Sequence, residues 1–149
     1  MAAMARGGKP SSSGWSPSLD IEHTPLNTTG GHTWKAAYYL FDYFAAAGDG
    51  LAGVAPHAGI AAPGVRVVEL GAGCGWLGMN LAANLPGLGA LCMTEQAADG
   101  GMDWLDHNLR RNQARCNLGA VTTSTCDWTF YRDHSPGAPW GEGAELAGA

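Results

Sequence analysis

The stretch from Val65 to Gly78 constrains this chain more than any other. Val65-Arg66-Val67-Val68-Glu69-Leu70 is β-branched and mostly apolar, the strongest strand signal present. Gly71-Ala72-Gly73-Cys74-Gly75 follows, and a helical pattern then runs from Trp76 to Leu85 until Pro86-Gly87 stops it. A strand that ends in a Gly-rich turn and feeds a helix opens a βαβ unit. At the carboxyl end of such a strand a ligand can reach the backbone only where side chains are absent. The free N–H groups of the helix amino end lie beside it.

The pattern continues in the same sense. Ala90 to Glu95 reads as a buried strand, and Asp99 or Gly100 can cap a helix reaching about Gln113, with Met102, Leu105 and Leu109 on one face. Val121 to Cys126 reads as a third strand. The order β-α-β-α-β predicts a parallel sheet of about three strands in a Rossmann-like α/β fold. Strands 1 and 2 lack alternation, which predicts helices on both faces. Upstream, Leu19-Asp20-Ile21-Glu22 alternates like a short half-buried strand, and Pro25 to Gly31 is turn-rich. Trp34, Ala37, Tyr38, Phe41, Phe44 and Ala45 then share one face of a helix over about 33–47, stopped by Gly48-Asp49-Gly50. Residues 1–18 and 131–149 are aperiodic and rich in small residues, so the expected domain is 19–130 between a disordered leading tail and a flexible trailing one.

Bulk properties narrow the function. A length of 149 residues suits one modest domain, and a net charge of −5 leaves no basic track for a phosphate backbone. Nucleic acid is therefore not expected as a partner, whereas a basic protein substrate is tolerated. No apolar run reaches membrane-spanning length. Cys74, Cys92, Cys116 and Cys126 form no C-x-x-C pair. Cys92 and Cys126 read as small core residues, and reduced thiols predict a cytoplasmic protein. Residues 1–18 carry Arg6 and Lys9 without acids, which leaves an organelle transit peptide open. The five histidines are scattered without metal spacing, no Ser nucleophile elbow occurs, and Arg110-Arg111 reads as a solvated helix face. The oligomeric state is not legible.

The Gly-rich turn admits two ligands. Gly73-Cys74-Gly75-Trp76-Leu77-Gly78 satisfies the dinucleotide pattern G-x-G-x-x-G, and Glu95 stands at a distance suited to a ribose. Spacing alone does not separate NAD from S-adenosyl-L-methionine. Charge favours the second: a carboxylate at Glu69 would repel a pyrophosphate but suits an α-ammonium and a sulfonium. Glu95, at the end of strand 2, can accept both ribose hydroxyls. Trp34 could cover the ligand as a flat apolar lid, and Trp128 could stack on adenine.

From about Leu19 to Trp128 the chain resembles the lysine methyltransferases of the methyltransferase-like 21 type, methyltransferase family 16, in the seven-β-strand class. Gly30-Gly31-His32-Thr33-Trp34-Lys35-Ala36-Ala37 is similar to the family's first helix, whose Trp lies against the cofactor. Val67 to Gly78 is similar to motif I. Thr94-Glu95 and Leu105 to Asn112 are similar to the end of strand 2 and the helix after it. Cys126-Asp127-Trp128 is similar to the end of strand 3, beside adenine. The resemblance implies cofactor binding by Trp34, Glu69, Gly71, Ala72, Gly73, Gly75, Glu95, Asp127 and Trp128, with a protein lysine as methyl acceptor. It leaves the catalytic residues unassigned and requires no metal. The family's strand 4, with its Asp-x-x-Tyr or Asp-x-x-Phe ending, has no counterpart after Tyr131, and Asp127-Trp128-Thr129-Phe130 matches in letters only. A truncated chain with little activity alone is therefore expected, its first strand edge unpaired. Two other classes stay open: a non-catalytic remnant that binds cofactor or protein, and an NAD-dependent oxidoreductase.

Overall fold

A computed structural model describes residues 15–16, 19–24, 29–48, 59–60, 62–113 and 118–127. Three strands, β1 (Arg66–Glu69), β2 (Ala90–Glu95) and β3 (Val121–Thr125), alternate with helices. Helix α1 (Lys35–Gly48) precedes the sheet, α2 (Trp76–Asn84) joins β1 to β2, and α3 (Gly101–Gln113) joins β2 to β3. All pairings are parallel in the order β1-β2-β3, with Val67 opposite Leu91 and Leu91 opposite Val121. This is an incomplete Rossmann-like methyltransferase fold. Trp128 and Cys116 lie outside the described residues, as do residues 1–14 and 128–149. Trp15 and Ser16, inside the stretch expected as a disordered tail, instead touch the domain, Trp15 meeting the Phe41 ring at 5.6 Å and Ser16 exchanging hydrogen bonds with Asn84.

The core forms where α2 and α3 press on β2. Met79 and Ala82 from α2 meet Leu105 and Leu109 from α3 over Leu91 and Met93, and Val121 closes the cluster. Both helices thus serve one face of the sheet. Two right-handed crossovers that step in one direction along a sheet must lie on the same side. Among the described residues, both connecting helices therefore lie on one face of the sheet, where the sequence predicts helices on both. Val67 packs against the core while Val68 is 47% exposed, and among the described residues β1 is a sheet edge.

Helix α1 docks on α2 through aromatic contacts. Phe41 and Ala45 are buried, and the Trp76 ring meets Tyr38 at 4.4 Å and Phe41 at 5.6 Å between centroids. The expected apolar face is therefore split. Its later half enters the core, but Trp34 at 63% exposure does not. Ahead of α3, the chain makes a 3-10 turn over Ala98–Gly100 with Asp99 in the left-handed region at φ 56°. Asp99 forms a kink there, and no side-chain cap bond is found at that turn.

The expected strand at Leu19 to Glu22 is absent. The segment is extended but pairs with side chains of α3 rather than with a sheet. The Asp20 amide donates to Asn112 Oδ1 at 3.1 Å, and Asn112 Nδ2 donates to the Asp20 carbonyl at 3.0 Å. Glu22 makes the same exchange with Asn108, at 2.9 and 3.0 Å. Two residues of extended chain advance about 6.6 Å and four residues of helix about 6.0 Å, so the two repeats stay in step. The alternation in the sequence reports a half-buried extended chain correctly, but the polar partner is a pair of carboxamides on a helix.

Candidate functional site

The carboxyl ends of the three strands converge on a cavity of about 560 Å³, within the range of small-ligand sites. Its floor is the turn after β1. Gly71, Gly73 and Gly75 all have positive φ, at 66°, 56° and 79°. The turn is held from within: Ala72 N–H donates to Thr94 O, Gly75 N–H to Ala72 O, and Gly73 N–H to Glu95 Oε2 at 2.7 Å. A Cβ on Gly73 would stand 3.0 Å from the Gly30 carbonyl oxygen, which shows how closely the segment before α1 covers the loop.

Three carboxylates line the cavity, those of Glu69, Glu95 and Asp127. Glu95, buried at the end of β2, uses Oε2 for Gly73 and accepts from the Gln96 amide through Oε1 at 2.9 Å. Each oxygen retains a lone pair, so the residue can clasp the loop and still accept hydroxyls. Glu69 is different. Its Oε2 is inaccessible to solvent and has no hydrogen-bond partner among the described residues. Burial pushes the carboxyl up to about 7, the Gly78 amide works against this, and the negative field of Glu95 adds to it. Glu69 lines the cavity, where a carboxylate suits a cationic or donor group, although Oε2 itself is closed off against Gly78.

The other walls come from three places. Cys126 and Asp127 follow β3, Trp76 and Leu77 begin α2, and Thr33, Trp34, Ala37 and Leu40 come from α1 and its approach. Cys126 is half-buried and faces this cavity, which corrects its expected place in the core; Cys92 is a core residue. Cys74 is buried, its thiol pushed up by burial and pulled back by the Thr33 hydroxyl 3.2 Å away. No group of three or more metal-ligating side chains occurs among the described residues.

The structure thus brings together Trp34, Glu69, Gly71, Ala72, Gly73, Glu95 and Asp127 around one cavity. Gly75 lies just beneath the floor, buried under Leu105 and Met79. Against this geometry, a model of the lysine methyltransferase family matches residues 15–140. The chain belongs to that family. No curated protein matches it.

Lysine methyltransferases of this family are S-adenosylmethionine users, and the residues present fit that group. The Glu69 carboxylate at the cavity suits an ammonium, and the Gly-rich loop admits a ligand against its backbone. The carboxylate of Glu69 also lies against Gly78 in the first turn of α2. That negative charge occupies the helix end that a pyrophosphate would need. Gly30, Thr33 and Leu40 escaped the sequence reading, although Gly30 and Thr33 belong to the segment that resembles the family's first helix. Leu40 carries no such signal; only its 43% exposure beside the cavity marks it. Among the described residues no helix is long and apolar enough to cross a membrane.

Proposed function

We propose that residues 19–130 form the cofactor-binding part of an S-adenosyl-L-methionine-dependent protein-lysine N-methyltransferase. The observation that carries this is Glu69: a half-buried carboxylate lining the cavity beside a Gly-rich loop in a lysine methyltransferase family chain. Glu69 receives the α-ammonium of the methionine part. The backbone of Gly71, Ala72 and Gly73 lies along that part, and Gly75 turns the chain into α2. Glu95 accepts the ribose hydroxyls while it clasps Gly73. Asp127 and Trp128 stand beside the adenine, and Trp34 shields the sulfonium side. S-adenosylmethionine, when bound, supplies an electrophilic methyl group. The residues here bind and orient it and limit water, so that a deprotonated lysine nitrogen can approach in line. The acidic chain is compatible with a basic protein substrate, and the free cysteines Cys74, Cys92 and Cys126 suit the cytoplasm.

Calorimetry with S-adenosylmethionine, S-adenosylhomocysteine and NAD tests the reading. Binding of the two methionine ligands is expected; binding of NAD alone overturns it. Among the described residues β1 is a sheet edge, with Val68 at 47% and Leu70 at 62% exposure, which favours a chain that binds cofactor with little turnover by itself. Methylation of protein lysines by the purified chain at the rate of a complete enzyme would refute that last point.

A further inference from the structure

The Gly-rich loop is tied to α3 by a hydrogen bond that the cofactor reading does not use. Asn108, fully buried, donates through Nδ2 to the Cys74 carbonyl at 3.1 Å. The same nitrogen donates to the Glu22 carbonyl at 3.0 Å, and Oδ1 accepts from the Glu22 amide at 2.9 Å. One carboxamide therefore joins three elements: the loop, α3 and the extended segment 19–24. A second route closes the circuit. The His23 ring meets the Thr33 hydroxyl at 3.1 Å, and that hydroxyl meets the Cys74 thiol at 3.2 Å. Cys74 is thus gripped at its carbonyl and at its sulfur by groups anchored to the same extended segment.

We propose that Asn108 is a positioning residue for the cofactor: it sets the orientation of the loop at Cys74 and makes ligand affinity depend on docking of residues 20–24. This rests on the cofactor reading above. Cys74 stands between Gly73 and Gly75, two left-handed glycines whose backbone has little intrinsic preference to hold a shape. Bonds to the surroundings must supply that preference. Three of them, at Ala72, Gly73 and Gly75, come from the loop and β2. The bond at the Cys74 carbonyl comes from α3, and Asn108 reaches it while also holding Glu22. Asn112 provides an internal control. It grips Asp20 with the same pair of bonds, one helical turn away, and its remaining bond runs to the Asn108 carbonyl within α3 rather than to the loop.

The test compares Asn108→Ala and Asn112→Ala in the full chain, with S-adenosylhomocysteine as the calorimetric probe. Each variant loses two backbone bonds to the segment, so both should melt lower by similar amounts. Asn108→Ala should bind at least about tenfold more weakly than wild type, and Asn112→Ala less than about threefold. Equal losses in the two variants, or unchanged affinity in Asn108→Ala, would overturn the proposal. If Asn108→Ala does not fold, amide exchange on the wild-type chain decides instead. Ligand should then slow exchange at residues 20–24 together with 73–75, because coupling between two sites is reciprocal. Protection of the loop without the segment refutes the coupling. A wild-type chain that binds no S-adenosylhomocysteine fails at the earlier step, overturning the cofactor reading and this inference together.

Discussion

The carboxylate of Glu69 rests against the backbone of Gly78, so closely that a methyl group at position 78 would collide with Oε2. The same methyl would also stand 2.9 Å from Met93 Cγ and Sδ in the core. The glycine is needed for space and not for its dihedral angles, since it lies inside α2. Gly78→Ala should therefore destabilise the chain by about 1–3 kcal/mol through overpacking, despite the better helix propensity of Ala. It should also weaken binding of S-adenosylhomocysteine, because Glu69 must move. Urea unfolding and calorimetry check both effects; a neutral or stabilised variant would refute the contact.

The raised Glu69 carboxyl has a pH signature. Its ordinary value is 4.5 and its value in the folded chain is about 7. Between these two pH values the folded state holds a proton that the unfolded chain has released. The ligand-free chain therefore loses stability as pH rises through this window, by about 3 kcal/mol from this group. A cationic ligand group reverses the preference. Binding should weaken below pH 7, approaching tenfold per pH unit, and should release a proton. Calorimetry at pH 6 in buffers of different ionisation enthalpy reads that proton directly. Glu69→Gln should remove both the release and the pH dependence.

Glu95 clasps two amides, those of Gly73 and Gln96. Glu95→Gln keeps an acceptor for only one of them, and Glu95→Ala keeps none. Affinity for S-adenosylhomocysteine should fall in that order, with the Ala variant losing about 10- to 100-fold, the scale of one charge-assisted bond. Wild-type affinity in Glu95→Gln would show that the carboxylate holds neither loop nor ribose.

The extended segment 19–24 is held by two kinds of bond that should differ in strength. Arg111 pairs with Asp20 at 2.7 Å and Glu22 at 2.8 Å, but all three side chains are between 39% and 47% exposed. Arg111→Ala should cost little, and 0.5 M salt should erase the difference. Asn112 is fully buried, and Asn112→Ala removes the hydrogen bonds it makes with the Asp20 amide and carbonyl. That change should cost about 1–3 kcal/mol and persist in salt. Denaturant titrations at two salt concentrations separate the two contributions.

The elements that rest on local pattern were legible. The strand at Ala90–Glu95 and the helices starting at Trp76 and ending at Gln113 match their sequence limits, because apolar spacing and Gly/Pro stops act within a few residues. The Gly-rich loop was legible for the same reason, as three glycines at fixed spacing after a β-branched run admit few conformations. The segment at Leu19–Glu22 was misread because alternation records burial and not the identity of the partner. Its partners stand about 90 positions away, and two asparagines on a helix give no strand-pairing signal. Cys126 was misplaced because an apolar neighbourhood in sequence does not say which side of a strand end faces a cavity.

The sequence by itself determined the parallel βαβ order, the Gly-rich floor and the two acids beside it, since each depends on residue type and short spacing. Only the tertiary structure decided how those acids differ. Glu95 meets two amides and is satisfied, whereas Glu69 is enclosed by α2 with one oxygen left over. Desolvation depends on what surrounds a group in three dimensions, and no spacing along the chain encodes it. The tertiary structure likewise placed Asn108 between the loop and the extended segment, joining Glu22, Cys74 and α3 through one side chain.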